Sequence, residues 1–247
     1  MIKIKEIGFL AKEASKIISV ASTESKNQAL TVAANEIVNK TEEILSANYR
    51  DLSEAKKKGL TSSMLDRLEL NKQRLEGLSQ SIINISNQHD PIGFTLSEWK
   101  QPTGLKIKKI STPIGVIGVI YESRPNVTGD AAALCVKSGN SVILRCGSDC
   151  LRSSIEISKC FKIGLNNANL PEHAVQLIPT SDRSFVSQML GLSEYIDVIV
   201  PRGGRDLVSL VQNKARVPVF AHLEGICHIY VDKSADLEKS KKVIMNS

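Results

Sequence analysis

The chain has 247 residues, of which 42% are hydrophobic, so it can bury one sizeable core or two modest ones, and disorder is excluded as an overall description. No run reaches the ~18 apolar residues of a membrane span, and the opening stretch mixes charges at helical spacing where a signal peptide would be apolar. These features predict a soluble, cytoplasmic protein without a membrane partner.

The charge balance is moderately basic. Thirty-two Lys and Arg against 26 Asp and Glu give a net charge of +6, which permits an anionic ligand. The basic residues are dispersed, and the one dense run, Lys56–Lys58, is interpreted as a solvated helix face. Only 4% of the residues are aromatic, so the stacking platforms of single-strand binders are not evident. We therefore expect no nucleic-acid partner.

The five cysteines are odd in number and scattered, and no signal peptide is recognisable, which argues against a disulfide framework. Cys146 and Cys150 stand four residues apart, but no second pair and no nearby histidine supplies the other ligands of a zinc site. We predict reduced thiols, either packed or on the surface, and no metal.

The first third of the chain is predicted to be helical. From Ile4 to about Ser86, apolar residues recur at spacings of three and four, as in amphipathic helices. Two polar stretches, Asn48–Ser53 and Lys58–Ser62, predict breaks between helices. Residues 1–90 are therefore assigned to an amino-terminal helical segment.

A β-hairpin is predicted after this segment. Within Glu98–Pro113, the sequence Pro102-Thr103-Gly104 supplies a turn between two short alternating stretches. Lysines on one face of the hairpin could protect an exposed edge strand, or the ribbon could add to the sheet of another subunit. The hairpin region is taken as residues 91–112.

From Pro113 onward, short apolar strands alternate with helices. The predicted strands are Gly115–Tyr121, Ser141–Arg145, Ala174–Pro179, Ile196–Pro201 and Ile226–Val231. The predicted helices are Asp130–Lys137, Leu151–Asn167, Ser181–Leu190, Arg205–Gln212 and Leu237–Met245. Continuously apolar strands between helices are typical of a parallel sheet covered on both faces. This region, residues 113–247, is therefore predicted to be a doubly wound α/β domain with ligands beyond the carboxyl ends of its strands.

The first strand end that could carry chemistry is Tyr121–Asn126. The Asn126 amide could donate hydrogen bonds to a developing oxyanion, and the planar fork of Arg124 could pair with a phosphate. An asparagine after a proline is also an ordinary turn or helix-cap residue, so both interpretations stay open on local grounds.

The second strand end contains Arg145, Gly147 and Ser148. A cation together with free backbone amides suits a nucleotide phosphate or ribose. The alternative is a simple helix cap, in which Ser148 or Asp149 satisfies the amino terminus of the next helix.

The third strand end contains Arg202, Gly203 and Gly204. Adjacent glycines let the backbone approach a ligand closely, and the arginines and the following helix favour negative charge. The spacing matches neither G-x-G-x-x-G nor a P-loop, and a plain tight turn is the alternative.

A last constellation, His222–His228, places Glu224, a possible base, close in sequence to the Cys227 thiol. Cys227 next to a histidine could be a thiolate nucleophile. Because Cys227 falls in a predicted strand, where alternate side chains point to opposite faces, we expect a buried structural cysteine instead.

Three longer runs that contain these motifs identify a family. They are PIGVIGVIYESRPNVTGDAAALCVKSGNSVILR, YIDVIVPRGG and VPVFAHLEGICHIYVDKSADLE. The runs resemble gamma-glutamyl phosphate reductase, also called glutamate-5-semialdehyde dehydrogenase, of the aldehyde dehydrogenase superfamily. The resemblance extends over essentially the whole chain. It implies that residues 91–112 are a hairpin of the oligomerisation-ribbon type, compatible with a homo-oligomer, and that residues 113–247 are an NADP-binding domain.

The resemblance also implies a reaction, the NADPH-dependent reduction of L-glutamate 5-phosphate to L-glutamate 5-semialdehyde and phosphate in proline biosynthesis. A cysteine thiolate attacks the acyl phosphate, phosphate leaves, and hydride reduces the thioester. No metal is required. The residues that the resemblance assigns are Asn126 to the oxyanion hole, Glu224 to general-base catalysis or cofactor positioning, and Ser123, Arg124, Arg145, Gly147, Ser148, Arg202, Gly203 and Gly204 to the cofactor loops.

The catalytic cysteine of the family does not match Cys227. It lies in a segment resembling N-A-K-T-Q-R-P-x-x-C-N, which follows the helix that is Leu237–Met245 here, and Asn246 matches the first residue of that segment. The resemblance therefore predicts that the nucleophile and the catalytic domain are missing from these residues, and that the chain alone is inactive. Ser148 also stands where the family frequently has a lysine, which would weaken a phosphate contact.

Three further hypotheses are open at this point. The chain could be half of a split enzyme, completed by a separate catalytic fragment. It could instead be a nucleotide-binding or interaction module without catalysis. Finally, Cys227 could replace the missing nucleophile, in which case Cys227→Ala would abolish glutamate-semialdehyde oxidation.

Overall fold

The computed structural model describes residues 3–221 and 227–247. Within them, the helices before the hairpin are α1 Ile4–Ile18, α2 Thr23–Asn39, α3 Thr41–Lys57, α4 Ser62–Leu68 and α5 Lys72–Ser86. The strands are β1 Thr95–Lys100, β2 Lys106–Ile110, β3 Val116–Tyr121, β4 Ser141–Arg145, β5 Val175–Leu177 and β6 Val198–Arg202. The later helices are α6 Asn126–Lys137, α7 Leu151–Asn167, α8 Ser184–Leu190, α9 Arg205–Lys214 and α10 Leu237–Met245.

The helical prediction for the first third of the chain is confirmed. Three of these helices, α2, α4 and α5, have an N-cap side chain that accepts a hydrogen bond from a backbone amide. The pairs are Ser22 with the Ser25 amide, Thr61 with the Met64 amide and Asn71 with the Arg74 amide. The predicted break at Lys58–Ser62 is present, because α3 ends at Lys57 and α4 begins at Ser62. The Lys56–Lys58 run is exposed, as expected for a solvated face.

The predicted break at Asn48–Ser53 is wrong, because these residues lie inside α3. Asn48 and Asp51 are buried and form hydrogen bonds to other elements. Asn48 accepts from the Leu70 amide at 2.8 Å and donates to the Ser153 hydroxyl at 3.1 Å. Asp51 accepts from the Ser153 amide at 2.9 Å and from its hydroxyl at 2.7 Å. The polar composition therefore belongs to a buried network that joins α3 to α7.

The hairpin prediction is also confirmed. Strands β1 and β2 are antiparallel, with Trp99 opposite Ile107 and Lys100 opposite Lys106. Nearly every residue of the two strands is exposed, including Trp99. The hairpin therefore presents both of its faces and its edges to solvent.

The central sheet has the order β5-β4-β3-β6, and all of its pairs are parallel. Helices α6 and α7 pack on one face, where Tyr121 and Leu144 are buried. Helices α1, α8 and α9 pack on the other face, where Ile143 and Ile199 are buried. The predicted doubly wound architecture is confirmed, because both faces of a parallel sheet are covered by helices.

One predicted strand is wrong. Residues 227–231 form no strand, and Cys227 is exposed where the sequence predicted a buried side chain. Within the described ranges, the only pairing with the free edge of β6 is an isolated bridge between Ile199 and Val219. Without a neighbouring strand to hydrogen-bond, an apolar alternating stretch does not form a sheet.

The amino-terminal helices share a core with the α/β unit. One continuous apolar cluster contains Leu30 and Leu75 from the helices together with Leu144 and Phe161 from the sheet and α7. No helix among the described residues is long and apolar enough to cross a membrane. The helical segment and the α/β unit, which the sequence assigned to separate segments, are therefore packed together in the folded state.

Candidate functional site

Loops from three neighbouring strands meet at the carboxyl edge of the sheet. Strand β3 lies between β4 and β6, so the loop that follows it, Glu122–Pro125, lies between Cys146–Asp149 and Gly203–Gly204. The carboxyl ends of parallel strands are where α/β folds bind ligands. The sheet order therefore brings together all three strand ends that the sequence singled out.

Glu122 ties the first loop to the third. Its carboxylate accepts a hydrogen bond from the Gly204 amide at 2.8 Å, and its own amide donates to the Arg202 carbonyl at 3.2 Å. A side chain at Gly203 would collide with the same carboxylate, so glycine is needed for this close approach. No role could be predicted for Glu122, because the contact depends on β3 lying beside β6.

The second loop is packed against the first. A Cβ on Gly147 would lie 3.2 Å from the Ser123 amide nitrogen, so glycine allows the two backbones to approach. Ser123 itself adopts a φ of 27°, an uncommon conformation for a residue other than glycine. Its hydroxyl donates to Asp149 at 3.4 Å.

The suggested cap by Ser148 or Asp149 is absent. The residue that caps α7 is Cys150, whose side chain makes no capping hydrogen bond. The Asp149 carboxylate instead accepts from the Ser148 hydroxyl at 3.3 Å and pairs with Lys58 at 3.2 Å. Ser148 is exposed at this loop.

The sequence suggested that Arg145 is an exposed cation that could bind a phosphate, but its side chain is buried. It is only 5% exposed, and its Nη2 donates to the carbonyls of Ser181 and Asp182 at 3.2 and 3.4 Å. The Nε atom has no hydrogen-bond partner among the described residues. The side chain therefore connects β4 to the segment before α8, and its contact with a cofactor stays a prediction.

Three arginines line a cavity of about 210 Å³ at the junction of the first and third loops. Arg124 and Arg202 come from the predicted strand ends, and Arg67 comes from α4. None of the three guanidinium groups forms an ion pair or hydrogen bond with another residue that the structure describes. The three cations share the cavity with the Glu122 carboxylate, which is bonded to the Gly204 amide, so the cavity keeps an excess of positive charge that favours an anionic ligand.

A second cavity, of about 420 Å³, adjoins the first and shares Arg67 and Arg124 with it. Asn126, the first residue of α6, donates from Nδ2 to Asp130 at 3.3 Å, and the Ser81 hydroxyl also donates to Asp130 at 3.3 Å. Burial raises the pKa of the Asp130 carboxyl. Asn126 is not the capping residue of α6, since that position belongs to Pro125.

Comparison with known proteins decides the family. The model of the aldehyde dehydrogenase family matches residues 3–247. The chain belongs to this family. Members of the aldehyde dehydrogenase family use NAD(P), which agrees with the arginines that line the strand-end loops at the carboxyl edge of the sheet.

Within the aldehyde dehydrogenase family, the chain is similar to gamma-glutamyl phosphate reductases. The reductase of Brucella suis is 52% identical over 243 residues, which are 98% of this chain and 58% of that protein. The crystal structure of the Thermotoga maritima reductase matches with a TM-score of 0.92 and 39% identity, over 99% of this chain and 59% of that one. The Saccharomyces cerevisiae reductase matches with a TM-score of 0.83 and 33% identity, over 100% and 62%. The chain thus spans about three fifths of the length of these relatives.

The cysteine side chains differ in their exposure to solvent. Cys135, Cys146, Cys150 and Cys160 are buried. Burial raises the pKa of Cys135, and likewise that of Cys160, to about 12, so these two thiols are poor nucleophiles at neutral pH. Cys227 is exposed, and the predicted base Glu224 lies outside the described residues.

A metal site was not predicted. Among the residues that the structure describes, no group of three or more His, Cys, Asp and Glu side chains could hold a metal ion.

Proposed function

We propose that this chain supplies the NADP(H)-binding part of a gamma-glutamyl phosphate reductase, which reduces L-glutamate 5-phosphate to L-glutamate 5-semialdehyde and phosphate in proline biosynthesis. The observation that carries the proposal is the meeting of three strand-end loops around the uncompensated cations Arg124 and Arg202. The 52% identity to the Brucella suis reductase supports the choice of substrate.

The chain fits a dinucleotide phosphate at these loops. Gly203 and Gly204 are exposed at the start of α9, where the Gly204 amide already donates to Glu122, so the neighbouring arginine would supply the main contact to a phosphate. Arg202 would pair with phosphate oxygens of the cofactor, and an arginine can accommodate the 2′-phosphate that distinguishes NADP from NAD. Arg124 lines both cavities, so it would contact the phosphate of the substrate instead. Ser123, Gly147 and Ser148 complete the proposed cofactor loops. When bound, NADPH supplies the hydride.

Asn126 is proposed to stabilise the charge that develops on the acyl oxygen. Its amide has two N–H groups, and one of them donates to Asp130, which fixes the plane of the amide. The second N–H is then available for the oxyanion. Arg145 would act indirectly, because its donors hold the segment before α8.

The nucleophilic thiol is proposed to come from the part of the relatives that this chain does not span, carried either by a continuation of the chain or by a separate polypeptide. Burial of Cys135 and Cys160 makes both poor candidates. Cys227 is exposed but does not match the position of the family's catalytic cysteine. Glu224 is proposed as the base or cofactor-positioning residue.

A homo-oligomer is part of the same proposal. The hairpin of β1 and β2 exposes apolar side chains that include Leu96, Trp99 and Leu105. Exposed apolar surface on an unpaired ribbon suits addition to the sheet of a second subunit.

A reconstitution assay tests the proposal. The purified chain is mixed with the carboxyl-terminal remainder of the Brucella suis reductase, and NADPH formation from L-glutamate 5-semialdehyde, phosphate and NADP is followed. We expect turnover from the mixture, none from either part alone, and unchanged turnover with Cys227→Ala. A stable complex that is inactive beside the active intact relative would contradict the proposal. Turnover by the chain alone that disappears in Cys227→Ala would make Cys227 the nucleophile.

A further inference from the structure

The larger cavity carries charges of opposite sign on different walls. Its lining includes Arg67 from α4, Arg124 from the loop after β3, and Asp130 from the first turns of α6. Arg67 and Arg124 have no hydrogen-bond or ion-pair partner among the described residues. Two cations of the cavity, Arg67 and Arg124, thus have no ion-pair partner among the described residues. The Asp130 carboxylate also forms no ion pair with a described residue.

Asp130 is unusually placed for a carboxylate. It is half-buried, and its described partners are two neutral donors at 3.3 Å, the Ser81 hydroxyl and the Asn126 amide. Hydrogen bonds of this length from neutral groups compensate a desolvated negative charge incompletely. Burial accordingly raises the pKa of the Asp130 carboxyl. A ligand cation at this position would restore the missing compensation.

The remaining charges of the cavity are already compensated or exposed. Arg74 donates to the carbonyls of Asp66 and Glu69 and to the Asp66 carboxylate at 2.7 Å. That pair is neutral overall, and the side chains of Glu69 and Arg67 are both exposed to solvent. Asp130 is the partly buried carboxylate of the cavity without an ion pair among the described residues, so it offers the better site for a cation. Arg67 and Arg124 offer the site for an anion.

The groups of the cavity match those of a small zwitterion. Asn126 and Asp130 are four residues apart on one face of α6, and Arg124 precedes them in the adjoining loop. Arg124 can bind an anion, Asn126 a carbonyl oxygen and Asp130 an ammonium, and an amino-acid acyl phosphate carries all three groups.

We propose that Asp130 binds the α-ammonium of the substrate while Arg67 and Arg124 bind its phosphate, so that the site selects amino-acid acyl phosphates over acyl phosphates that lack the ammonium. This inference rests on the proposed function and adds Asp130 and Arg67, which lie outside the three strand-end motifs, to the substrate site. It also makes α4, from the helical segment, a part of the substrate site.

Two stable phosphonates test the assignment by calorimetry on the purified chain. L-2-Amino-5-phosphonopentanoate carries the ammonium, the carboxylate and a phosphonate, whereas 5-phosphonopentanoate lacks only the ammonium. We expect the amino compound to bind at least about tenfold more tightly, the gain typical of a charge-assisted hydrogen bond. Equal affinity of the two phosphonates would overturn the inference without any variant.

Three substitutions separate the roles. Asp130→Asn keeps the shape and removes the charge, so the preference for the amino compound should disappear while 5-phosphonopentanoate still binds. Arg67→Gln should weaken both phosphonates about tenfold. Arg50→Gln, an exposed substitution on α3 away from both cavities, should change neither affinity. A preference that survives Asp130→Asn, or affinities unchanged in Arg67→Gln, would refute the assignment.

A parallel NADPH titration distinguishes this inference from the proposed function. If NADPH binds but the phosphonates are not discriminated, the substrate subsite is wrong and the cofactor proposal stands. If the phosphonates are discriminated but NADPH does not bind, the subsite stands and the cofactor proposal is wrong. If neither binds to folded protein, both are refuted.

Discussion

At the scale of one residue, Asp130 is a carboxylate whose partial burial disfavours its charged form. Its carboxylate lies partly out of water between Ser81 and Asn126, and it forms no ion pair among the described residues. Burial raises its pKa, so the folded state holds the proton more tightly than the unfolded state does. A carboxylate whose charged form is disfavoured by partial burial suits a position where a ligand cation would compensate the charge.

Asp130→Asn is expected to change the pH dependence of stability. As the pH rises, the unfolded state loses the Asp130 proton before the folded state does. The free energy of unfolding of the wild type therefore falls relative to that of Asp130→Asn. This fall occurs between about pH 4 and the raised pKa of Asp130. Urea unfolding at several pH values measures this difference. A wild type that gains stability over Asp130→Asn with rising pH would show that the carboxylate is compensated in the folded protein.

At the same scale, the sequence identified some site residues and missed others for a physical reason. Arg124, Asn126 and Gly203 could be found because each follows an apolar strand, and strand ends meet at one edge of a parallel sheet. Glu122 and Arg67 could not be assigned a role. The contact of Glu122 depends on which strands are neighbours, and Arg67 reaches the site through the packing of a distant helix, which periodicity does not encode.

At the scale of elements, the crossing of α2 and α7 joins the helical segment to the α/β unit. Gly164 on α7 faces the backbone of α2, and a Cβ there would overlap the Ala29 carbonyl oxygen and lie 3.0 Å from the Ala33 amide nitrogen. The obstacle is backbone, which cannot rotate away. Small residues at the crossing therefore set the distance between the two helices.

Gly164→Ala is expected to lower the free energy of unfolding by about 1–3 kcal/mol, because overpacking forces the helices apart. Gly77→Ala is the matched control, since Gly77 lies in the interior of α5 with no atom within 4 Å of an added Cβ. The control should raise stability by up to about 1 kcal/mol through helix propensity. Urea unfolding of both variants checks the pair, and equal stability of the two would contradict the close crossing.

Most helices and strands could be predicted because the spacing of apolar residues follows their burial. The two wrong predictions, the break at Asn48–Ser53 and the strand at Ile226–Val231, differ in direction. Asn48 and Asp51 resemble loop residues in composition, but their hydrogen bonds to Ser153 keep them inside a helix. The stretch around Cys227 resembles a strand in composition, but the described residues supply no neighbouring strand for it. Tertiary partners decided both cases, and local sequence does not reveal them.

At the scale of the whole molecule, the site is assembled from parts that the sequence assigned to separate segments. Arg67 comes from the helical segment, whereas Arg124 and Arg202 come from the α/β unit, and a common apolar core holds the two together. The same core explains how residues far apart in sequence reach one cavity. The central claim is that this arrangement binds NADP(H).

Titration of NADPH into the purified chain, followed by calorimetry, tests that claim most directly. We predict saturable binding of about one NADPH per chain, weakened about tenfold by Arg202→Gln and unchanged by Arg50→Gln. Circular dichroism confirms that each protein is folded before titration. Folded wild-type protein that gives no saturable heat, or equal affinities for wild type and Arg202→Gln, would contradict the account.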